Sequence, residues 1–292
     1  MEFDMICILG PTASGKTKYA VQIALECDGE IISADSRQVY RGMDIGTGKD
    51  LSEYSVTGAA GDIRRVPFHL IDIVEAGEKY NVFQYQKDFW SAYQSILARR
   101  RVPILCGGTG LYIDAVTGGY SLPEVPEDRE LRAALEQLPM EELAQKLSAL
   151  KPLHNKSDFD SKKRVIRAIE IEIFRQANPL RFTDRPGIKT RFIGIDVGRD
   201  ERNVRIDGRL SERLQNGMVE EVRHLLNSGI LPEDLIYYGR EYKYETMYLL
   251  GQLSFNEMQQ KLATAIHQFA KRQMTWFRGM ERRGVKIEWI KL

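Results

Sequence analysis

Gly10-Pro11-Thr12-Ala13-Ser14-Gly15-Lys16-Thr17 reads G-x-x-x-x-G-K-[ST], a spacing that cradles phosphate. Successive backbone N–H groups of such a loop face phosphate oxygens, and the following helix N-terminus adds positive potential. Lys16 would neutralise phosphate charge, and the Thr17 hydroxyl would coordinate Mg²⁺. The loop alone leaves open which phosphate compound it holds and which bond breaks. Asp35 follows the apolar run Glu30-Ile31-Ile32-Ser33-Ala34. A carboxylate at a strand end can accept a proton from a nucleophile; it can equally cap a turn. Ser36 and Gln38 could hydrogen-bond a base edge or simply complete that turn. Thr109 lies in Gly107-Gly108-Thr109-Gly110, where the backbone can approach a ligand closely or merely close a loop. Arg205, Arg209 and Arg213 are spaced by four and share one helix face. Arg209 there could neutralise a leaving pyrophosphate, or it could be solvated. Asp72, at the end of an apolar run, suits a metal-bound carboxylate or a buried structural one. His69, His154, His224 and His267 have no ligand spacing and read as structural.

The elements that must position these residues alternate. Met5-Ile6-Cys7-Ile8-Leu9 has the length of a buried strand, and residues 18–25 form a first helix. Further strands are expected at Glu30–Ala34, Phe68–Ile73 and Val102–Cys106, with a polar mobile loop over residues 50–65. Asn81 with Gln84 forms a capping box for a helix that Arg99-Arg100-Arg101 closes at its negative end. Strand–helix alternation implies a mostly parallel sheet covered on both faces, with the site beyond the C-terminal strand ends. That rule draws residues 10–17, 35–38 and 107–110 into one crevice. The pattern changes near Tyr120. Pro123, Pro126, Pro139 and Pro152 punctuate strongly helical stretches at 129–150 and 161–176. No strand follows until residues 191–197. Ser254 with Glu257 caps a long helix, and residues 287–290 suit a last strand. The division is therefore a phosphate-loop core over 1–119, a helical insertion over 120–188 and the rest of the core over 189–292.

Composition sets the class. The chain has 292 residues, 43% hydrophobic and 28% charged, ordinary values for a globular protein. No run is long and apolar enough to span a membrane, and Met1-Glu2-Phe3-Asp4 lacks the basic segment of a secretory signal. Cys7, Cys27 and Cys106 are far apart, which fits buried thiols in a reducing compartment. A cytoplasmic location is expected. The formal net charge is +1, yet residues 151–191 carry +6 and residues 261–292 another +6, leaving −11 on the remainder. Either basic segment alone suits a solvated helix face. Two of them beside a phosphate loop point towards a polyanion such as nucleic acid.

Together these residues resemble the bacterial tRNA dimethylallyltransferases. The match rests first on Gly10–Thr17 and on Asp35-Ser36-Arg37-Gln38-Val39-Tyr40-Arg41-Gly42-Met43-Asp44-Ile45-Gly46-Thr47. It extends through Gly107-Gly108-Thr109-Gly110-Leu111-Tyr112, Arg205-Ile206-Asp207 with Arg209, and Arg272-Gln273-Met274-Thr275-Trp276-Phe277-Arg278. The resemblance implies a P-loop NTPase-like α/β core, with helices on both faces and a helical insertion. It implies transfer of a dimethylallyl group from dimethylallyl diphosphate to the exocyclic amine of the adenosine 3′ of the anticodon in tRNA, releasing diphosphate.

The implied roles are these. Asp35 is the general base, and Thr17 and Arg209 stabilise the diphosphate with Lys16 and Mg²⁺. Gly10, Pro11, Thr12, Ala13, Ser14, Gly15, Lys16 and Thr17 bind the diphosphate. Asp35, Ser36, Arg37, Gln38 and Thr109 lie near the flipped adenosine, and Lys163, Arg164 and Arg167 meet the tRNA. The expected partners are tRNA and dimethylallyl diphosphate, with the protein a monomer. Lys163 stands where the family usually has glutamine, and residues 239–244 depart from its usual glycine, aromatic, basic order. The competing readings are a small-molecule kinase, an adenylate isopentenyltransferase acting on free nucleotide, and a non-enzymatic RNA-binding module.

Overall fold

The computed structural model of the protein describes residues 2–58, 61–119, 122, 124–151, 159, 161–179 and 187–291. Tyr120, Pro123, Pro152 and His154 fall outside them. In chain order the strands are β1 (Met5–Leu9), β2 (Gly29–Ser33), β3 (Ser55–Thr57), β4 (Ile63–Arg65), β5 (Phe68–His69), β6 (Val102–Gly107), β7 (Thr190–Asp196) and β8 (Ile287–Lys291). The helices are α1 (Lys16–Cys27), α2 (Val82–Ala98), α3 (Gly110–Thr117), α4 (Arg129–Glu136), α5 (Met140–Leu150), α6 (Lys162–Ala177), α7 (Arg199–Gln215), α8 (Met218–Asn227), α9 (Pro232–Tyr238), α10 (Arg240–Leu249) and α11 (Phe255–Arg282).

Six strands form one sheet in the order β5-β2-β6-β1-β7-β8, and every pairing in it is parallel. The period-two alternation of β1 explains why both faces are covered. Met5, Cys7 and Leu9 pack with Tyr85, Phe89 and Ile96 of α2 and with Phe277 and Met280 of α11. Ile8 faces the other way, against Ala20, Val21 and Ala24 of α1. The architecture is thus the α/β, phosphate-loop type that the alternation predicts. Register brings Leu9 level with Gly107, and Ser33 level with Cys106. The loops after β1, β2 and β6 therefore emerge together at the C-terminal edge.

The expected helix caps form. Asn81 and Gln84 exchange backbone and side-chain hydrogen bonds of 3.0 Å each, and Ser254 with Glu257 makes a second capping box. Two segments differ from expectation. The strand over 68–73 is only Phe68–His69, because Leu70 (φ 61°) and Asp72 (φ 55°) leave the extended region. Ile73 N–H then bonds Val39 O at 2.8 Å, which ties this segment to the chain after Asp35. The loop over 50–65 is instead a 3₁₀ turn, Leu51–Tyr54, followed by the antiparallel β3–β4 pair. Buried Tyr54, 4.7 Å from the Phe68 ring, is the apolar anchor that organises it.

The chain divides into two compact units, Met1–Gly118 with Ile188–Leu292, and Gly119–Gly187. The second contains α4, α5 and α6, packed through Leu135, Leu143, Leu147, Val165, Ile166 and Ile169. Beside this apolar layer lies Glu170, 3% exposed. It accepts from Arg132 Nε (3.0 Å), Arg132 Nη2 (2.8 Å) and Asp128 N–H (2.7 Å), and pairs with Arg167. Burial raises the Glu170 pKa, but these donors outweigh it and bring it below the ordinary carboxylate value.

Candidate active site

The loop between β1 and α1 takes the conformation that collects anions. Ala13 (φ 60°) and Gly15 (φ 84°) are both left-handed, so successive amides turn to one side. Glycine adopts this freely, whereas for Ala13 it costs roughly 1–2 kcal/mol. Strain of that kind persists where the surroundings fix the backbone, as functional loops require. Ser14 Oγ is buried with no hydrogen-bond partner among the described residues. Lys16 Nζ donates to Pro11 O at 3.3 Å. Burial lowers the Lys16 pKa, opposed by Cys106 and Asp35.

A cavity of about 80 Å³ opens over this loop. Thr12 to Thr17, Asp35, Gln38 and Arg209 all line it, so three sequence-distant motifs meet at one place. Gly10, Pro11, Ser36, Arg37 and Thr109 are not among its walls, but they shape them. Arg37 N–H donates to Asp35 Oδ1 at 2.8 Å, which fixes the carboxylate. Ser36 N–H donates to Thr109 Oγ1 at 3.1 Å, joining the loop after β2 to the start of α3. Arg37 itself lies 5.7 Å from the Tyr238 ring centre. Gln38 accepts from Ser33 Oγ (3.1 Å) and donates to Gly48 O (3.0 Å), which turns the chain after Tyr40 back to the cavity.

Other residues that build the site carry no signal in the phosphate-loop pattern. Gln273 of α11 accepts from Thr12 N–H at 2.9 Å and donates to Gly108 O at 2.9 Å. It therefore clamps the phosphate loop to the loop after β6, a role that its place in Arg272–Arg278 does not reveal. Glu221 of α8 accepts from the backbone N–H groups of Asp44 (2.8 Å), Ile45 (2.7 Å) and Gly46 (3.1 Å), and from Tyr242 Oη at 2.7 Å. Nothing in its local sequence marks it. Lys49 is 1% exposed and pairs with Asp44 and Asp72. Asp72 thus serves a buried lysine and is absent from the cavity wall, but its own side chain is 34% exposed and not buried. Asp50 and Arg213 also line the cavity, and burial with nearby Arg213 pushes the Arg209 pKa below its ordinary value.

Among the described residues, no group of three His, Cys, Asp or Glu side chains is placed to hold a metal ion by itself. The oxygen donors along the cavity are hydroxyls, with Thr17 at the start of α1 among them, and carboxylates. That set suits Mg²⁺ held chiefly by phosphate oxygens, the usual arrangement at nucleotide and diphosphate sites. No helix among the described residues is long and apolar enough to cross a membrane.

On α6 of the insertion, Lys163 and Arg164 are exposed. Arg167 is half-exposed; its Nη1 pairs with Glu170 and its Nη2 donates to Val125 O at 2.8 Å.

Comparison with known proteins agrees with this geometry. The model of the family described as IPP transferase matches residues 38–280, and that described as isopentenyl transferase matches residues 3–58. A tRNA dimethylallyltransferase 2 of Porphyromonas gingivalis is 59% identical over 98% of this chain and 93% of its own length. One of Bacteroides fragilis is 55% identical over 99% of this chain and 93% of its own. Among solved structures, the full-length tRNA isopentenylpyrophosphate transferase of Bacillus halodurans superposes with a TM-score of 0.68 at 34% identity. That alignment covers 99% of this chain and 89% of the other. With a phosphate loop, a strand-end aspartate and a helical arginine around one cavity, and relatives of this similarity along nearly its whole length, the chain belongs to the IPP transferase family.

Proposed function

We infer that the chain transfers a dimethylallyl group from dimethylallyl diphosphate to tRNA, at the exocyclic amine of the adenosine 3′ of the anticodon, and releases diphosphate. The observation that carries this reading is the single cavity shared by the phosphate loop, Asp35 and Arg209. An acceptor amine attacks C1 of the allylic substrate, the C1–oxygen bond breaks, and the amine loses a proton. Asp35, fixed through Arg37 N–H, takes that proton. Backbone N–H groups from Ala13 to Thr17, with the Lys16, Thr17 and Arg209 side chains, hold the diphosphate and stabilise the charge that grows on it as it leaves. Thr17 would hold Mg²⁺ together with the diphosphate, and the ion would supply further neutralisation of the leaving group. Ser36, Gln38 and Thr109 orient the adenosine, which must leave its stack to reach the site. Lys163, Arg164 and Arg167 are the proposed tRNA contacts, with Arg167, already bonded within the insertion, contributing least. The protein acts as a cytoplasmic monomer.

Purified protein incubated with unmodified tRNA and labelled dimethylallyl diphosphate should place label in the RNA. Label transferred instead from ATP, or to free AMP, would establish a kinase or an adenylate isopentenyltransferase. Retention of tRNA without transfer would establish a binding module.

A further inference from the structure

We propose that Asp50 is a placeholder anion: Arg209 and Arg213 hold its carboxylate until the diphosphate arrives, then exchange it for the diphosphate. This rests on the diphosphate reading above and adds Arg213 as a second guanidinium on the leaving group.

Four observations converge on it. First, Arg209 Nη2 lies 2.9 Å and Arg213 Nη2 3.3 Å from the same oxygen, Asp50 Oδ2. Two cations thus share one charge through single end-on bonds, not through the paired bonds that guanidinium forms best with carboxylate or phosphate. A diphosphate offers more charge and more oxygens to the same two groups.

Second, Asp50 is held awkwardly. Its backbone is left-handed (φ 42°, ψ 51°), and it precedes the 3₁₀ turn without a side-chain cap bond to it. An aspartate in that position ordinarily satisfies the first turn. Here Glu53 N–H bonds the Asp50 carbonyl at 2.8 Å instead, and the carboxylate reaches to the arginines, so no bond within its own turn holds it.

Third, Asp50, Arg209 and Arg213 line two spaces. One is the cavity with Asp35 and Thr17; the other is a wider outer groove bordered by Ser14, Lys18 and Arg205. The ion pair stands at the boundary between them, and a diphosphate entering from the groove meets it before reaching Lys16 and Thr17.

Fourth, Gly48 makes room for Arg213. A Cβ at that residue would lie 2.1 Å from Arg213 Nη2, and its φ is +66°. The carbonyl of the same glycine accepts from Gln38. Arg213 thus occupies the space beside the residue that anchors Gln38, on the Asp35 side of the cavity.

The test is calorimetric titration of the full chain with inorganic pyrophosphate at fixed Mg²⁺, with thermal unfolding of each variant as the folding control. Removing a competing charge should tighten binding, so Asp50→Asn and Asp50→Ser should each lower the pyrophosphate Kd about five- to tenfold, the scale of one charge-assisted contact. Arg213→Ala should raise it by a similar factor. In the double variant Asp50→Asn/Arg213→Ala, the gain from Asp50→Asn should be smaller than in the parent, because one of its two partners is gone. An unchanged or weaker Kd in both Asp50 variants would overturn the exchange, as would Arg213→Ala without effect. The parent protein is assayed in parallel for label transfer to tRNA. Transfer with no tightening removes only this inference; tightening without transfer removes only the functional reading.

Discussion

The core and the insertion both bury charge, but they use it differently. In the insertion, Glu170 is closed off by Arg132, Arg167 and Asp128 N–H, so a buried carboxylate and its donors saturate one another. In the core, charged groups converge on a cavity, and Asp35, Lys16 and Arg209 face space a ligand can enter. A saturated network rigidifies a fold; an open one is ready for a substrate. The difference also teaches caution about counting charges. The +6 of residues 151–191 includes Arg167, whose guanidinium is engaged inside its own unit.

The largest effect that could break this contrast lies at Asp35. Asp35→Ala should lower turnover roughly 10²–10⁴-fold, the range for loss of a general base, with little change in unfolding midpoint or tRNA affinity. Single-turnover transfer measured beside a urea titration checks both halves. Near-parental turnover would remove Asp35 from the chemistry.

Glu170→Ala is the mirror experiment. It strips the partner from Arg132 and Arg167, whose side chains are 28% and 38% exposed. Removing one member of a buried pair costs about 3–5 kcal/mol, and solvent access to the arginines reduces this to about 2–3 kcal/mol. Amide exchange in α4 to α6 should accelerate while pyrophosphate binding stays put. A changed pyrophosphate affinity with a stable insertion would reverse the contrast. The same residue sets a pH dependence. Its folded pKa is lowered, so its stabilisation is present above the unfolded carboxylate value and is lost as pH falls through the folded one. Parent and Glu170→Gln should therefore differ in midpoint at neutral pH and converge in acid.

These contrasts bear on what sequence can show. The phosphate loop, the strand-end aspartate and both capping boxes were legible because each is a local pattern with its own mechanism. The sheet was legible because strands alternate with helices along the chain, and an apolar run such as Met5–Leu9 needs cover on both faces. Residues 50–65 read as loop because the order there comes from Tyr54 packing on Phe68, a tertiary contact that leaves no periodicity. The strand over 68–73 was overextended because apolar content does not reveal left-handed Leu70 and Asp72. Glu221 was invisible for a similar reason: its three backbone partners lie 175 to 177 residues away.

Gln273 sharpens the comparison at intermediate size. It is a closed polar contact, but inside the core, and it holds Thr12 N–H and Gly108 O together. Gln273→Ala leaves both groups without that partner, a loss of about 1–2 kcal/mol. Unlike Glu170→Ala, it should also weaken pyrophosphate binding, because Thr12 belongs to the phosphate loop. Lost stability with unaltered pyrophosphate affinity would place Gln273 with the insertion's saturated groups.

The smallest effect concerns RNA. Each lysine or arginine that neutralises a tRNA phosphate releases counterions, so its removal flattens the dependence of log affinity on log salt by about one unit. Lys163 is exposed on α6, whereas Arg167 one turn later is engaged by Glu170 and by Val125 O. Lys163→Ala should therefore flatten the slope of a filter-binding series without changing the unfolding midpoint. Arg167→Ala should lower the midpoint and change the slope less. A full unit lost with Arg167→Ala would mean that its guanidinium leaves Glu170 when tRNA docks, and the insertion's network would then be as exchangeable as the one in the core.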